Sequence, residues 1–71
     1  MTTKVEFETA GSVWKLHVKE GDAVAEGQEL LIMEVMKMEV PYEAPVAGTV
    51  VKLHVAEGDV VEEEQIALEI G

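Results

Sequence analysis

The sequence predicts an all-β domain, a flattened antiparallel β-barrel or sandwich related to itself by a pseudo-two-fold axis. Three observations lead there. The chain repeats: shifted by 37 positions, residues 11–33 fall on residues 48–70, and 13 of the 23 paired positions are identical, where chance pairing leaves roughly one or two. The repeated segments are rich in β-branched residues and bounded by glycine, the composition of strands punctuated by turns. No segment carries apolar residues at helical spacing. Short-stranded units with no helix to cover them must pack sheet on sheet. Residues 1–71 are therefore read as one domain, with repeat halves of about 1–36 and 38–71.

In chain order, Val5 to Phe7 forms the opening strand of the first copy, and Val40 to Tyr42 that of the second. Val13, Leu16 and Val18, and Val50, Leu53 and Val55, mark the matching second strands, each bounded by glycine. Glu20-Gly21-Asp22 and Glu57-Gly58-Asp59 are turns, in which glycine is free to take positive φ. Glu26-Gly27-Gln28 is a third turn, whose partner Glu63-Glu64-Gln65 lacks the glycine. A last strand follows in each copy, from Glu29 to about Val35 and from Gln65 to Ile70, and Pro45 restricts the chain before a turn at Gly48. The expected core is Val5, Val13, Leu16, Val18, Val24, Val50, Leu53, Val55, Val61 and Leu68. Leu30, Leu31, Ile32 and Met33 are all apolar, so alternation does not choose which of them face inward. Trp14, aligned with Val51, is expected to be partly buried.

Composition narrows the function. Fifteen acidic and five basic residues leave a net charge of −10, which repels phosphate backbones and removes nucleic acid as a partner. Glu62, Glu63 and Glu64 read as a solvated turn. No apolar run reaches transmembrane length and no signal-peptide pattern opens the chain, so no membrane partner is expected, and the cytoplasm, or a matrix-like compartment for an excised domain, is the expected location. There is no cysteine, hence no disulfide and no thiolate metal site. His17 and His54 occupy equivalent strand positions with no partner at ligand spacing and read as inherited strand residues, so no metal is expected.

Symmetry singles out the middle of the chain. The connection between the copies, about Glu34 to Glu39, is the mate of the place where the two termini would meet, so it lies at the end opposite the termini. Glu34-Val35-Met36-Lys37-Met38-Glu39 links two strands yet contains no Gly, Asn, Asp or Pro, although tight hairpin turns favour residues that tolerate positive φ. A turn with the wrong local chemistry is a candidate site. Lys37 is its one amine, presented to other proteins and needing an enzyme to position and deprotonate it for acylation. Glu34 and Glu39 are read as turn flanks rather than an acid/base pair, and no catalytic residue is assigned.

Met36-Lys37-Met38 following Glu34 resembles the biotinyl-lysine motif of biotin carboxyl carrier domains, usually Ala-Met-Lys-Met. Gly11-x-Val13-x-x-Leu16-x-Val18 and Gly21-Asp22-x-Val24 look like that family's first half, and Ala44-Pro45-x-x-Gly48-x-Val50 and Gly58-Asp59 like its second. The resemblance runs from about Val5 to Ile70. Val35 stands where the family usually has alanine, and there is no room between Val18 and Val24 for the thumb insertion of some members, so the chain resembles the thumbless type. With Met1 first and no Pro/Ala-rich linker before the fold, a free-standing protein and an excised domain are both expected possibilities.

The resemblance implies a non-catalytic carrier in a biotin-dependent carboxylase or decarboxylase system. A biotin protein ligase would activate biotin as its adenylate, and the Lys37 amine would take it as an amide. The attached biotin would then carry a carboxyl group from a biotin carboxylase to a carboxyltransferase. Met36 and Met38 would serve ligase recognition and the turn, with Glu34 and Val35 as its flank. Lipoyl domains resemble this fold and also present a hairpin lysine, typically within Asp-Lys-Ala, so a lipoyl or dual biotin/lipoyl acceptor is the alternative. An unmodified protein-interaction module is the alternative of another class.

Overall fold

A computed structural model describes residues 2–71. Eight strands form: β1 (Thr3–Glu6), β2 (Gly11–Leu16), β3 (Ala23–Val24), β4 (Glu29–Val35), β5 (Met38–Glu43), β6 (Gly48–Leu53), β7 (Val60–Val61) and β8 (Ile66–Ile70). They make two four-stranded sheets, ordered β1-β8-β6-β3 and β5-β4-β2-β7, with every pairing antiparallel. Adding the 37-residue offset exchanges β1 with β5, β4 with β8, β2 with β6 and β3 with β7, so each sheet is the image of the other. Both sheets draw strands from both copies, and neither copy can close a sheet alone.

Three of the 13 positions kept between copies fasten loops. Asp22 Oδ2 accepts the Lys19 amide at 3.0 Å and Asp59 Oδ2 the Ala56 amide at 2.9 Å. Gln28 Oε1 and Gln65 Oε1 accept the Ala25 and Glu62 amides, both at 3.0 Å. Glu20 and Glu57 reach across to the Leu53 and Leu16 amides. Each bond satisfies a backbone donor that the short strands leave unpaired.

The core lies between the sheets and, among the described residues, contains no polar side chain. Eight of the ten expected core residues are in it; Leu16 and Leu53 pack against it half-buried. Phe7, Leu30, Leu31, Met33, Ala44, Ala67 and Ile70 complete it. Leu30 and Leu31 are both buried because a bulge between Glu29 and Leu31 breaks the alternation of β4 against β5. A bulge between Val13 and Lys15 likewise turns Trp14 outward, where it is 45% exposed and lies beneath the Lys15 ammonium at 5.6 Å. Val51 sits on the equivalent bulge of β6.

Gly48 corrects the sequence reading: it begins a strand rather than a turn, as does Gly11. Neither needs positive φ. A Cβ at Gly48 would lie 2.7 Å from the Gly71 carbonyl oxygen and one at Gly11 2.6 Å from that of Glu34, so both are glycine because a neighbouring strand passes too close. The two-residue strands β3 and β7 are also additions to the sequence reading, too short to leave a periodic signal.

Gly27 turns with φ +84°, and Glu64, its mate, keeps nearly the same conformation at φ +70°. A non-glycine residue there is strained by about 1–2 kcal/mol. Glu64→Gly, which removes that strain but loosens the unfolded chain, is expected to stabilise the domain by about 0.5–1 kcal/mol, read as a raised denaturant midpoint with unchanged slope. A lowered midpoint would mean that the glutamate side chain contributes something the geometry does not reveal.

Candidate functional site

β4 and β5 form a hairpin whose last pair is Val35 with Met38, leaving Met36 and Lys37 as a two-residue loop. Their φ angles are +51° and +67°, the double positive φ of a primed type I turn, whose twist suits two antiparallel strands. Asn-Gly is the usual choice; here the β4–β5 ladder, paired from Glu29 with Glu43 to Val35 with Met38, imposes the conformation on two side chains that resist it. The connection expected over Glu34–Glu39 is thus narrower. Glu34 and Val35 belong to β4, and Met38 and Glu39 to β5.

The hairpin and the C-terminus occupy opposite ends. Gly11 lies against Glu34 and Val35, and its mate Gly48 against Ile70 and Gly71. From Gly11 the chain runs along β2 to Leu16 and on through residues 17–20 to Gly21, whose amide donates to the Val50 carbonyl two residues from Gly48. At about 3.3 Å per residue, β2 alone runs through about half of the 32 Å long axis of a molecule 18 by 17 Å across. Thr3 pairs with Ile70, which puts the start of β1 at the same end as the C-terminus.

At the tip, Lys37 is exposed, Met36 is 89% exposed and Met38 63%. Both methionines are too far out to be core, so packing does not account for them. Glu34 and Glu39 face each other across the hairpin, both exposed, a like-charge pair that mildly weakens the ladder. Among the described residues the ion pairs are His17 with Glu29 and His54 with Glu69, each at 2.8 Å, and Lys37 takes part in neither. No cavity opens among the described residues, and among them no group of three His, Cys, Asp or Glu side chains could hold a metal ion. The two histidines therefore do have partners, carboxylates on the neighbouring strand. The hydrogen bond to His54, opposed by desolvation and helped by the Thr2 hydroxyl, holds the Glu69 carboxyl below its ordinary range.

Sequence reasoning did not assign Gly11 to the site. A Cβ there would meet the Glu34 carbonyl oxygen at 2.6 Å, Met33 Cε at 2.9 Å and Val35 Cγ2 at 3.0 Å, so this glycine lets β2 brace the base of the hairpin. The signal was its identity with Gly48 in the repeat. Gly11→Ala is expected to destabilise the domain by about 1–3 kcal/mol through overpacking, measured by urea unfolding. A change under about 0.5 kcal/mol would show that β4 yields freely there.

The family model described as "Biotin-requiring enzyme", of the biotin/lipoyl type, matches residues 2–70. The "Biotin/lipoyl attachment protein" of Bacillus subtilis is 52% identical over 40 residues, 56% of this chain and 55% of that protein. The "Methylmalonyl-CoA carboxyltransferase 1.3S subunit" of Propionibacterium freudenreichii is 60% identical over 30 residues, 42% of this chain and 24% of that subunit. The match thus spans about half the length of the first relative and a quarter of the second. In solved structures the fold recurs within Kluyveromyces lactis urea carboxylase, with a TM-score of 0.91 and 31% identity over 100% of this chain and 6% of that one.

Proposed function

This chain belongs to the biotin/lipoyl attachment family, and from that membership we propose that it is a biotin carrier, acylated on Lys37, in a biotin-dependent carboxylase or decarboxylase system. The observation that carries the proposal is an unpaired, exposed lysine at the tip of a two-residue turn, between two exposed methionines, at the end opposite the termini.

These residues fit a covalently held group. Lys37 Nζ is open to a partner enzyme and tied to no carboxylate, so it can reach into another protein's site. Once that enzyme removes its proton, the amine attacks the acyl carbon of the activated acid, the amide C–N bond forms and the phosphate ester leaves. Bound as that amide, biotin supplies a ureido ring able to carry a carboxyl group. The chain holds the arm's root fixed, because the β4–β5 ladder fixes the turn, and tethering raises the local concentration of the ring at successive sites. Met36 and Met38 offer an apolar contact to the biotin protein ligase, and Glu34 and Val35 set the hairpin beneath them. In this reading the chain is not a catalyst; a biotin carboxylase and a carboxyltransferase supply the chemistry.

Co-expression with a biotin protein ligase tests the reading in cells: the chain is expected to be captured on avidin. A chain that escapes avidin but reacts with an antibody to lipoyl-lysine would be a lipoyl carrier instead, and one with neither group would be an interaction module.

A further inference from the structure

We propose that Met36 and Met38 form a reversible oxidation site whose state gates acylation of Lys37; the gating rests on the carrier reading above. The chain contains its own control. Met33, three residues before Met36, is 0% exposed in the core, whereas Met36 is 89% and Met38 63% exposed on either side of the lysine. Thioether oxidation follows access of the oxidant to sulfur, so one short hairpin holds two reactive sulfurs and one shielded sulfur.

The step needs a two-electron oxidant of the peroxide class. A sulfur lone pair attacks one peroxide oxygen, the O–O bond breaks, and the sulfoxide and water form. The sulfur is oxidised by two electrons and the peroxide reduced by two. Methionine sulfoxide reductases reverse the change with thiol electrons.

Oxidation leaves the fold intact, because neither side chain is in the core. It alters what an incoming enzyme must cover. Both residues are the chain neighbours of Lys37 at the turn, so a protein that seats the amine in its site covers them too. A thioether is shed from water easily, whereas a sulfoxide oxygen is a strong acceptor that loses its water without a partner prepared for it. The penalty for an unsatisfied buried acceptor corresponds to about a fivefold or greater loss in kcat/KM. The tip thus becomes a poorer substrate under oxidising conditions and recovers on repair.

Cleavage after glutamate separates the sulfurs. Leu30–Glu34 carries Met33, Val35–Glu39 carries Met36, Lys37 and Met38, and Met1–Glu6 carries Met1. The unmodified protein is treated with hydrogen peroxide until about half of the Val35–Glu39 segment carries oxygen, then given limiting biotin protein ligase, biotin and ATP. Product is captured on avidin, and both fractions are cleaved and weighed. The expected result is oxygen on Val35–Glu39 before any on Leu30–Glu34, with the oxidised segment depleted about fivefold from the captured fraction, the Met1 segment evenly distributed, and the depletion erased by prior treatment with methionine sulfoxide reductases. Equal oxidation of the two hairpin segments, or an even distribution of oxidised Val35–Glu39, would overturn the proposal while leaving the carrier reading standing. If the protein never exposed to peroxide gains no biotin, the carrier reading fails and the gating fails with it.

Discussion

Lys37→Arg is expected to abolish biotin uptake while leaving the fold unchanged. Arginine keeps the positive charge and the length of the side chain, and at an exposed turn position it should alter stability by less than about 0.5 kcal/mol. The guanidinium stays protonated and is no acyl acceptor. Lys4, Lys15, Lys19 and Lys52 remain in the variant, and none shares the geometry of the tip. Lys4, Lys15 and Lys52 project from strands, Lys15 lies over the Trp14 ring, and Lys19 precedes a turn fastened by Asp22. The loss should therefore be complete rather than partial, read as no mass gain in a ligase reaction that saturates the parent chain. Residual uptake on another lysine would mean that the ligase does not read the hairpin.

Phe7→Ala is expected to produce the largest loss of stability. Phe7 is 1% exposed and the largest aromatic side chain in the core. Its ring meets Tyr42 edge-on at 5.5 Å. Its backbone donates to the Gln65 carbonyl and accepts from the Glu64 amide, while Tyr42 Oη accepts the Glu8 amide at 2.9 Å. Its repeat mate is Ala44, so one large ring fills space contributed by both copies and nothing nearby can collapse to replace it. Truncation should remove about 3–5 kcal/mol, against a total of roughly 4–10 kcal/mol for a domain of this size. Urea unfolding followed by Trp14 fluorescence measures it. A loss below about 1 kcal/mol would mean that the sheets close over the vacated space.

The repeat explains why so much was legible. Matching Gly11–Asp22 to Gly48–Asp59 implied two equivalent halves, and the sheets are indeed exchanged by that offset. The same match located a turn near Lys37 that local composition denied, because positive φ at Met36 and Lys37 is imposed by the ladder and not by the residues themselves. What remained hidden depends on contacts between strands distant in sequence. The bulge that buries both Leu30 and Leu31, the one that turns Trp14 outward, and the close passage of β4 over Gly11 leave no periodic trace. Phe7 was read as strand but not as core, since its partner Tyr42 lies in the opposite copy. The carboxylates facing His17 and His54 sit at positions that do not match in the repeat, so the repeat could not reveal them.

One biotin is expected to attach, at Lys37. Intact mass after incubation with biotin protein ligase, biotin and ATP, followed by cleavage after glutamate, reads both number and place. A gain of one biotin less one water, confined to Val35–Glu39, is the expected result. No gain with that ligase, a gain with lipoate protein ligase in its place, or a gain on any other segment would rule out Lys37 as the biotin acceptor.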